Sequence, residues 1–335
     1  MTIQIASLLK EKAITASDSA VTINKTKTWY GAKKTFKLSE NPPINIMING
    51  SPTLNNFPVQ LLIQEFEKMD KSDDIEKIVE EFLDYIGKTV PKTNMKNFLN
   101  QKIGEYSMIY GNLEKENYQR FIDLCSGFDI EIPKFINNEF DYKFKKLIKS
   151  AHSQDLREKM IQAHKKAFCQ YLITESTGIV ITGISTNHHF PSCISFNMIL
   201  NNNGIIEIMN KNCIINCNEI KLELFGQSDV IESYLTGIDE NFESKILYLI
   251  ETIFQPDAYK MDKLKSEIEY LKKINKRNML SKLDTMPEND LYSMIETLIK
   301  STEIKRKLNS DVDNVGGQIN IEKISKSGID KKYNN

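Results

Sequence analysis

Residues 2–23 read TIQIASLLKEKAITASDSAVTI, a largely apolar stretch with a run of three charged residues at 10–12. Apolar and β-branched residues stand on both sides of the charged run at 10–12, which predicts two short strands joined by a polar turn. The second strand continues into the segment ASDSAVT at 16–22. Strands joined by so short a turn pair antiparallel, so we expect an antiparallel sheet at the start of the chain.

Strand-like runs continue to about residue 50 and then give way to helices. The β-prone runs of this first part are separated by turn residues, and they predict one antiparallel meander. In SDDIEKIVEEFLDYIGK, at 72–88, the apolar residues fall on one helical face, and Gly87 suits the end of that helix. The stretch from about 88 to 150 mixes aromatic, lysine and asparagine residues, and we interpret it as an α-rich insertion with a few extended pieces.

Strands return between about 177 and 226, and helices follow them. Thr285 is predicted to cap a helix, because Glu288 three residues later completes a capping box. A last strand is expected at 316–325. This order of strands, helices, strands, helices and strand predicts an α+β fold, a four-layer α/β/β/α sandwich of two antiparallel sheets packed face to face.

Length, charge and cysteine content restrict the classes of protein to which this chain can belong. The 335 residues are enough for one large domain or two, and we interpret 1–335 as a single domain with the insertion at about 88–150. A net charge of -1 gives no electrostatic basis for binding nucleic acid or an anionic membrane. The five cysteines lack the spacing of a zinc site and predict free thiols in a reducing compartment. Since no apolar run approaches the length of a membrane span, a cytoplasmic protein without a membrane partner is expected.

Thr2, Asp18 and Lys34 follow one another at intervals of sixteen residues, and each falls in or beside a strand of the expected first sheet. Neighbouring strands lie about 5 Å apart, so antiparallel pairing can bring such positions together. A threonine hydroxyl is a poor nucleophile by itself, but an N-terminal threonine carries a base in its own α-amine. Taken singly, each residue has an ordinary explanation as well: a commonplace threonine, an aspartate that stabilises a turn and a surface lysine.

The three residues together resemble the proteasome β-subunit branch of the N-terminal-nucleophile (Ntn) hydrolases. That branch has a nucleophilic threonine, an aspartate in an ASDS-like motif and a lysine in a KK pair, in this order and at this spacing. Three longer segments are also similar to the family: KKTFKLSENPPINIMINGS at 33–51, FGQSDVIESYLTGID at 225–239 and SDVDNVGGQINIEKISK at 310–326. The resemblance covers about the first 70 residues and most of 172–325.

A second resemblance is narrower. A long α-insertion combined with four short motifs is similar to a bacterial group of proteasome-like proteins. The motifs are SDSAVT at 17–22, HFPS at 189–192, GID at 237–239 and DNVGG at 313–317. Both resemblances imply the same fold, the Ntn-hydrolase sandwich.

The family resemblance implies a reaction at Thr2. After removal of Met1, Thr2 Oγ attacks an amide carbonyl while the α-amine accepts the hydroxyl proton, directly or through water. Lys34 is the implied cation that keeps this amine a base near neutral pH, and Asp18 holds Lys34 charged and oriented. The implied substrate is a peptide or an unfolded protein, no metal or organic cofactor is required, and assembly into a homo-oligomer is expected because family members form rings.

Further residues of the implied site come from the flanking segments. The backbone N–H of Gly50, or of Asn49 beside it, is the implied oxyanion donor. Gln227 and Ser228 stand in the turn where the family usually places a serine, and Asp313 is the candidate for the aspartate that precedes the double glycine. These last three are the implied supporting residues.

Departures from the family pattern keep other functions open. Val315 occupies the place of the family's serine before the double glycine, and both Asp311 and Asp313 lie one residue out of register. The chain ends soon after the strand at 316–325, so the final edge strand of the sheet is expected to be missing or shortened. One alternative is therefore a catalytically inactive proteasome-like module used for binding or assembly. Another is an amidohydrolase of small molecules.

Overall fold

The computed structural model describes residues 2–23, 27–55, 57–90, 95–110, 118–128, 130, 132, 136, 141–148, 153–200, 206–308 and 315–332. Strands within these ranges are β1 Ile3–Leu8, β2 Lys12–Ser17, β3 Val21–Ile23, β4 Lys27–Trp29, β5 Thr35–Ser39, β6 Ile44–Gly50, β7 Thr53–Leu54, β8 Phe57–Pro58, β9 Thr177–Gly183, β10 Ser192–Leu200, β11 Ile206–Ile214, β12 Lys221–Gly226, β13 Asn320–Ser325 and β14 Gly328–Lys332. The α-helices are α1 Val59–Glu67, α2 Ile75–Thr89, α3 Met95–Tyr110, α4 Tyr118–Ser126, α5 Asp141–Leu147, α6 Gln154–Glu175, α7 Asp229–Thr236, α8 Glu240–Phe254, α9 Ala258–Leu280 and α10 Glu288–Leu308.

Two antiparallel five-stranded sheets form the centre of the protein. The first sheet has the order β12-β1-β2-β13-β14, and the second sheet has the order β11-β10-β9-β6-β5. β1 is buried along its whole length and β2 from Ala13 to Ser17, because both strands lie inside the first sheet and are covered on both faces. The α+β class and the two antiparallel sheets are thus as predicted from the sequence.

Alternation of side chains along the strands separates the core into layers. From β1, Ile3 and Ile5 pack against apolar residues of α7 and α10 on the outer face of the first sheet. The outer face of the second sheet packs Phe36 and Ile181 against α1 and α2. A third cluster lies between the sheets, where Ala6 of β1 packs in the same cluster as Met47, Val180 and Cys193. Helices therefore cover the outer face of each sheet.

The region expected to be an α-rich insertion contains the helices α3, α4 and α5 among its described residues. These helices pack with α6 around a separate aromatic core that includes Tyr106 and Phe168. Ile199 and Met209 of the second sheet belong to the same core. The insertion is consequently anchored on the β10–β11 edge of that sheet.

Two predicted helix boundaries are wrong. α2 runs through Gly87 to Thr89, because Ile86 and Val90 on either side of the glycine are buried, and an exposed glycine costs a helix only about 1 kcal/mol. Thr285 does not cap α10. Its hydroxyl donates to the Lys282 carbonyl oxygen at 3.2 Å and closes a short 3-10 turn instead.

Two predictions about strands are also wrong. The first fifty residues do not form one meander, since β5 and β6 belong to the second sheet. The final edge strand is present, because Gly328 makes the reverse turn that lets β14 pair with β13 from Ser325↔Gly328 to Ile321↔Lys332. Its φ of +131° is a conformation that glycine adopts readily.

Candidate active site

Thr2 and Asp18 lie at the same end of the first sheet. Thr2 directly precedes β1, Asp18 directly follows β2, and the two strands pair antiparallel with Gln4 opposite Ser17. The backbone N–H of Asp18 continues the ladder by donating to the Ile3 carbonyl oxygen at 3.3 Å. The short polar turn between the strands therefore brings residues sixteen apart in sequence side by side.

Lys34 reaches this position from the second sheet, and not from the first sheet as the sequence suggested. It precedes β5, and its carbonyl oxygen accepts a hydrogen bond from the N–H of Ile48 in β6 at 2.9 Å. The hairpin of β3 and β4 carries the chain from one sheet to the other. Gln4 links the sheets here, because its Nε2 donates to the Ile48 carbonyl oxygen at 2.8 Å.

The three side chains touch each other in a buried cluster. Lys34 Nζ lies 2.7 Å from Asp18 Oδ1 and 2.5 Å from Thr2 Oγ1, and the Thr2 hydroxyl donates to the same carboxylate oxygen. Thr2 is 4% exposed, Asp18 0% and Lys34 5%. A threonine hydroxyl, an ammonium and a carboxylate thus share one site with little access to water.

Backbone donors fix the orientation of the Asp18 carboxylate. Oδ1 accepts from the N–H of Ile3 at 3.1 Å. Oδ2 accepts from the N–H of Ala20 at 3.2 Å and of Gly316 at 3.1 Å. The N–H of Ser19 in turn donates to the Gly316 carbonyl oxygen at 3.2 Å. Three separate parts of the chain therefore converge on one carboxylate.

Burial and the neighbouring Asp18 shift the pKa of Lys34 in opposite directions. Burial lowers the pKa of its ammonium group, because desolvation disfavours the charged form, and the charge and hydrogen bond of Asp18 act in the opposite direction. The net shift is downward from the ordinary lysine value. Lys34 can therefore give up a proton more easily than a surface lysine.

The predicted oxyanion residues lie at the end of β6 that faces this cluster. Asn49 follows Ile48, and its Nδ2 donates to Gln4 Oε1 at 3.0 Å. Gly50 is exposed and has a φ of +70°, and a Cβ at this position would lie 2.2 Å from the Ser176 carbonyl oxygen. Only glycine fits there without movement of the backbone.

Two of the three predicted supporting residues lie in the turn after β12, and one of them contacts Thr2. The N–H of Gln227 donates to the Thr2 carbonyl oxygen at 2.9 Å. The N–H of Ser228 donates to the Gly226 carbonyl oxygen at 3.1 Å, and its side chain makes no capping bond to α7. Asp313 lies outside the described residues. The turn therefore contacts Thr2 through its backbone.

Three residues with a part in this geometry were not singled out from the sequence. Gly226 approaches Thr2 so closely that a Cβ there would lie 2.0 Å from the Thr2 carbonyl oxygen. Gly316 supplies a backbone donor to Asp18. Gln4 is fully buried and connects β1 to the end of β6. The available signal for Gln4 is a long polar side chain between two isoleucines of an otherwise apolar strand.

Comparisons with known proteins do not assign the chain to a family: no protein-family model matches the chain, and no curated protein matches it.

Within the described ranges, no group of three or more histidine, cysteine, aspartate or glutamate side chains is placed to hold a metal ion. Of the helices in the part of the chain that the structure describes, none combines the length and apolar character needed to cross a membrane.

Proposed function

We propose that this protein is a threonine-type Ntn hydrolase that cleaves amide bonds in peptides or unfolded proteins. The contact of Thr2 Oγ1 with Lys34 Nζ at 2.5 Å, with Asp18 bonded to both, carries the proposal. A hydroxyl becomes an effective nucleophile when a neighbouring group can take its proton. The proposal includes the fold, since two antiparallel sheets between helices are compatible with the Ntn-hydrolase sandwich.

Stability alone is a weak reason to bury such a cluster. An ammonium and a carboxylate removed from water lose more hydration energy than a single contact restores, and apolar side chains of the same volume are often as stabilising. Lys34 and Asp18 nevertheless lie where the ends of the two sheets meet, together with a hydroxyl. A chemical role accounts for this arrangement better than packing does.

The proposed reaction begins when the chain before Thr2 has been removed and its α-amine is free. Thr2 Oγ forms a bond to the amide carbonyl carbon, and the hydroxyl proton passes to the α-amine, directly or through water. An ordinary α-amine titrates at about 7.7 to 8.0, and the adjacent charge of Lys34 disfavours its protonated form. The amine can then act as a base near neutral pH.

The tetrahedral intermediate carries its negative charge on the former carbonyl oxygen. The N–H of Gly50 or of Asn49 is the proposed donor to this oxyanion, an interaction worth about 3 to 4 kcal/mol where a comparable donor has been removed. The C–N bond then breaks, and the leaving amine takes the proton from the Thr2 α-amine. Water hydrolyses the resulting ester on Thr2 and regenerates the hydroxyl.

One observation favours the catalytically inactive alternative, a binding or assembly module with the same fold. Val315 is fully buried among apolar residues that include Ile3 and Ile319. It cannot provide the hydrogen bond that a serine would provide at this place. In this part of the site, the hydrogen bond to Asp18 comes from the neighbouring backbone donor, the N–H of Gly316.

Labelling with a β-lactone separates the two functions. The chain is produced with a cleavable leader so that Thr2 becomes the first residue, and intact-mass spectrometry verifies the cleavage. A β-lactone that acylates Thr2 Oγ adds the full mass of the probe, and this adduct is expected in the wild type and in Thr2→Ser. Thr2→Ala is expected to remain unlabelled.

Hydrolysis of an unfolded protein provides the second readout. Wild type with a free Thr2 is expected to cut a denatured, fluorescently labelled protein, and Thr2→Ala is expected not to cut it. A free Thr2 that takes no adduct and cuts no substrate would contradict the proposal and leave the inactive module. An adduct without proteolysis would point to a small-molecule amidohydrolase.

A further inference from the structure

Two adjacent aromatic side chains, Trp29 and Tyr30, here called the aromatic pair, are exposed where the β3–β4 hairpin ends. Trp29 is 54% exposed and Tyr30 is 52% exposed. Trp29 is also the only tryptophan in the sequence. Tryptophan is highly buried on average, and tryptophan and tyrosine contribute most of the binding energy where proteins bind other chains. The aromatic pair is therefore a candidate binding surface.

Hydrogen bonds hold the aromatic pair next to the candidate active site. Before the pair, Trp29 is the partner in the hairpin of Val21, which follows shortly after Asp18. After the pair, the N–H of Ala32 donates to the Ser19 carbonyl oxygen at 3.0 Å. Both ends of this short segment are thus fixed to the part of the chain that directly follows Asp18.

Gly317 makes room for the Tyr30 ring. It has a φ of +79°, and a Cβ at this position would lie 2.6 Å from Ser19 Oγ and 2.9 Å from Tyr30 Cδ1. The ring therefore lies directly against this glycine. The preceding residue, Gly316, donates its backbone N–H to the Asp18 carboxylate at 3.1 Å. Two consecutive glycines thus contact both the Tyr30 ring and the proposed catalytic machinery.

These contacts place Tyr30 within reach of a peptide bound at Thr2. Through Asp18 and the two glycines, the Tyr30 ring lies within about 15 Å of the Thr2 hydroxyl, because consecutive Cα atoms are only about 3.8 Å apart. An extended peptide advances about 3.3 Å per residue, so the ring can meet a side chain within about four residues of the cleaved bond. A ring that already lies against the backbone needs little ordering before it binds.

We propose that the aromatic pair selects substrates with a large apolar or aromatic side chain near the amide bond that Thr2 cleaves. This inference rests on the proposed hydrolase function and names its substrate class. Aromatic rings pack favourably against one another in offset or edge-to-face arrangements. Such side chains are mostly buried in folded proteins and become accessible on unfolding, so the preference agrees with an unfolded-protein substrate.

The fluorescence of Trp29 measures binding at the aromatic pair without a contribution from hydrolysis. The protein is the full chain with Thr2→Ala and the leader removed, so that bound peptide is not cut. The probes are an acetylated hexapeptide with phenylalanine at alternate positions and the same peptide with serine at those positions. The phenylalanine peptide is expected to change the Trp29 emission saturably and to bind at least about tenfold more tightly than the serine peptide.

Variants of Tyr30 test whether its ring carries this preference. Tyr30→Ala in the same background is expected to weaken binding of the phenylalanine peptide by about tenfold and to leave binding of the serine peptide unchanged. Tyr30→Phe keeps the ring and is expected to bind like the parent protein. The matched control is Tyr259→Ala, which removes a 75% exposed tyrosine of α9 and is expected to change neither affinity. Circular dichroism verifies that every variant is folded.

Hydrolysis provides an independent readout when Thr2 is present and its amine is free. Tyr30→Ala is expected to raise KM for the phenylalanine peptide by about tenfold and to keep kcat within about threefold, because a contact made equally in the bound substrate and in the transition state affects KM alone. Labelling of Thr2 by the β-lactone is expected to be unchanged in this variant.

Three results would overturn selection by the aromatic pair: no saturable change in Trp29 emission, equal affinity for the two peptides, or a Tyr30→Ala variant that binds like Tyr259→Ala. Labelling of Thr2 together with any of these would contradict the aromatic pair alone. Tight binding of the phenylalanine peptide without labelling or hydrolysis would contradict the hydrolase alone and assign the pair to the inactive binding module. Failure of the substrate preference and failure of the proposed hydrolase are therefore distinguishable.

Discussion

Two clusters of polar side chains are buried in different regions of this protein. One contains a pair of opposite charges, and the other contains a hydrogen bond between neutral groups. At the meeting point of the two sheets, Lys34 and Asp18 face each other as charged groups at 2.7 Å, beside Thr2. In the insertion, Tyr106 and His164 share a hydrogen bond of 2.9 Å between the tyrosine hydroxyl and Nδ1. The exposure of all five residues is 5% or less.

The difference lies in charge. Burial lowers the pKa of His164 to about 4 and raises the pKa of Tyr106, so both groups stay neutral near pH 7. Aromatic rings surround this pair, with Phe121 4.8 Å from His164 and Phe168 5.4 Å from Tyr106 between ring centroids. The insertion thus uses polar groups as part of a neutral core. The sandwich maintains a charge pair, which is costly unless the charges have a use.

The largest expected effect is on the proposed hydrolysis, in which the charge of Lys34 takes part. Lys34→Met removes the ammonium group next to Thr2, and we expect hydrolysis of a denatured protein to fall by about a thousandfold, as for the loss of a group that assists proton transfer. The control is Lys33→Met, an exposed neighbour whose ammonium lies 4.8 Å from the centre of the Phe36 ring. It is expected to retain activity within about threefold. Equal activity of both variants would remove Lys34 from the mechanism.

Separating the two charges is expected to have the next largest effect. Asp18→Asn leaves Lys34 buried without its counterion, and we expect the free energy of unfolding at pH 7 to fall by roughly 3 to 4 kcal/mol. Lys34→Met added to this variant is expected to restore most of the loss, which a double-mutant cycle of urea denaturation measures.

The free energy of unfolding of Asp18→Asn is expected to depend on pH, and the sign of this dependence follows from the Lys34 pKa. Loss of Asp18 removes the effect that opposes the lowering of the Lys34 pKa. The unfolded chain then binds more protons than the folded chain at alkaline pH, so the stability of Asp18→Asn rises toward pH 10 relative to the wild type. An additive cycle with no pH dependence would show that the pair is not charged.

Sequence patterns identified the elements better than their arrangement. The β-prone runs on either side of the charged residues 10–12 were enough to predict the paired strands β1 and β2. The spacing of Thr2, Asp18 and Lys34, together with the family resemblance, led us to expect that these residues meet. The sheet to which Lys34 belongs was predicted incorrectly, because the β3–β4 hairpin that crosses between the sheets is a tertiary feature without a local signal. Their proposed chemical role stays a prediction.

The glycines show the same limit of prediction from the sequence. Gly87 stands inside α2, whereas Gly226 and Gly316 lie where the backbone approaches Thr2 and Asp18. A sequence shows that a glycine is present, but only the neighbouring chain shows whether its missing side chain is needed. The backbone contacts of the site could not be deduced for this reason.

Lowering the pH is expected to reduce the free energy of unfolding through His164 in the neutral cluster of the insertion, by a smaller amount. The pKa of His164 is about 4 in the folded protein and about 6.5 in an unfolded chain, so the unfolded chain binds the extra proton first. This contribution to stability is fully present above pH 6.5 and is lost as the pH falls toward 4, by about 3 kcal/mol. His164→Gln cannot titrate, and the difference between its unfolding free energy and that of the wild type should follow this curve. A constant difference would show that His164 is protonated equally in both states.

The smallest expected effect is the loss of the hydrogen bond in that neutral pair. Tyr106→Phe keeps the ring contacts with Phe168 and removes only the hydroxyl that meets His164, so the unfolding free energy should fall by about 1 kcal/mol. Tyr142→Phe, at an exposed position of α5, is the matched control and should change it by less than about 0.5 kcal/mol. A loss of about 4 kcal/mol at Tyr106 would instead be the size expected for a broken charge pair. The contrast between a neutral insertion core and a charged site in the sandwich would then no longer hold.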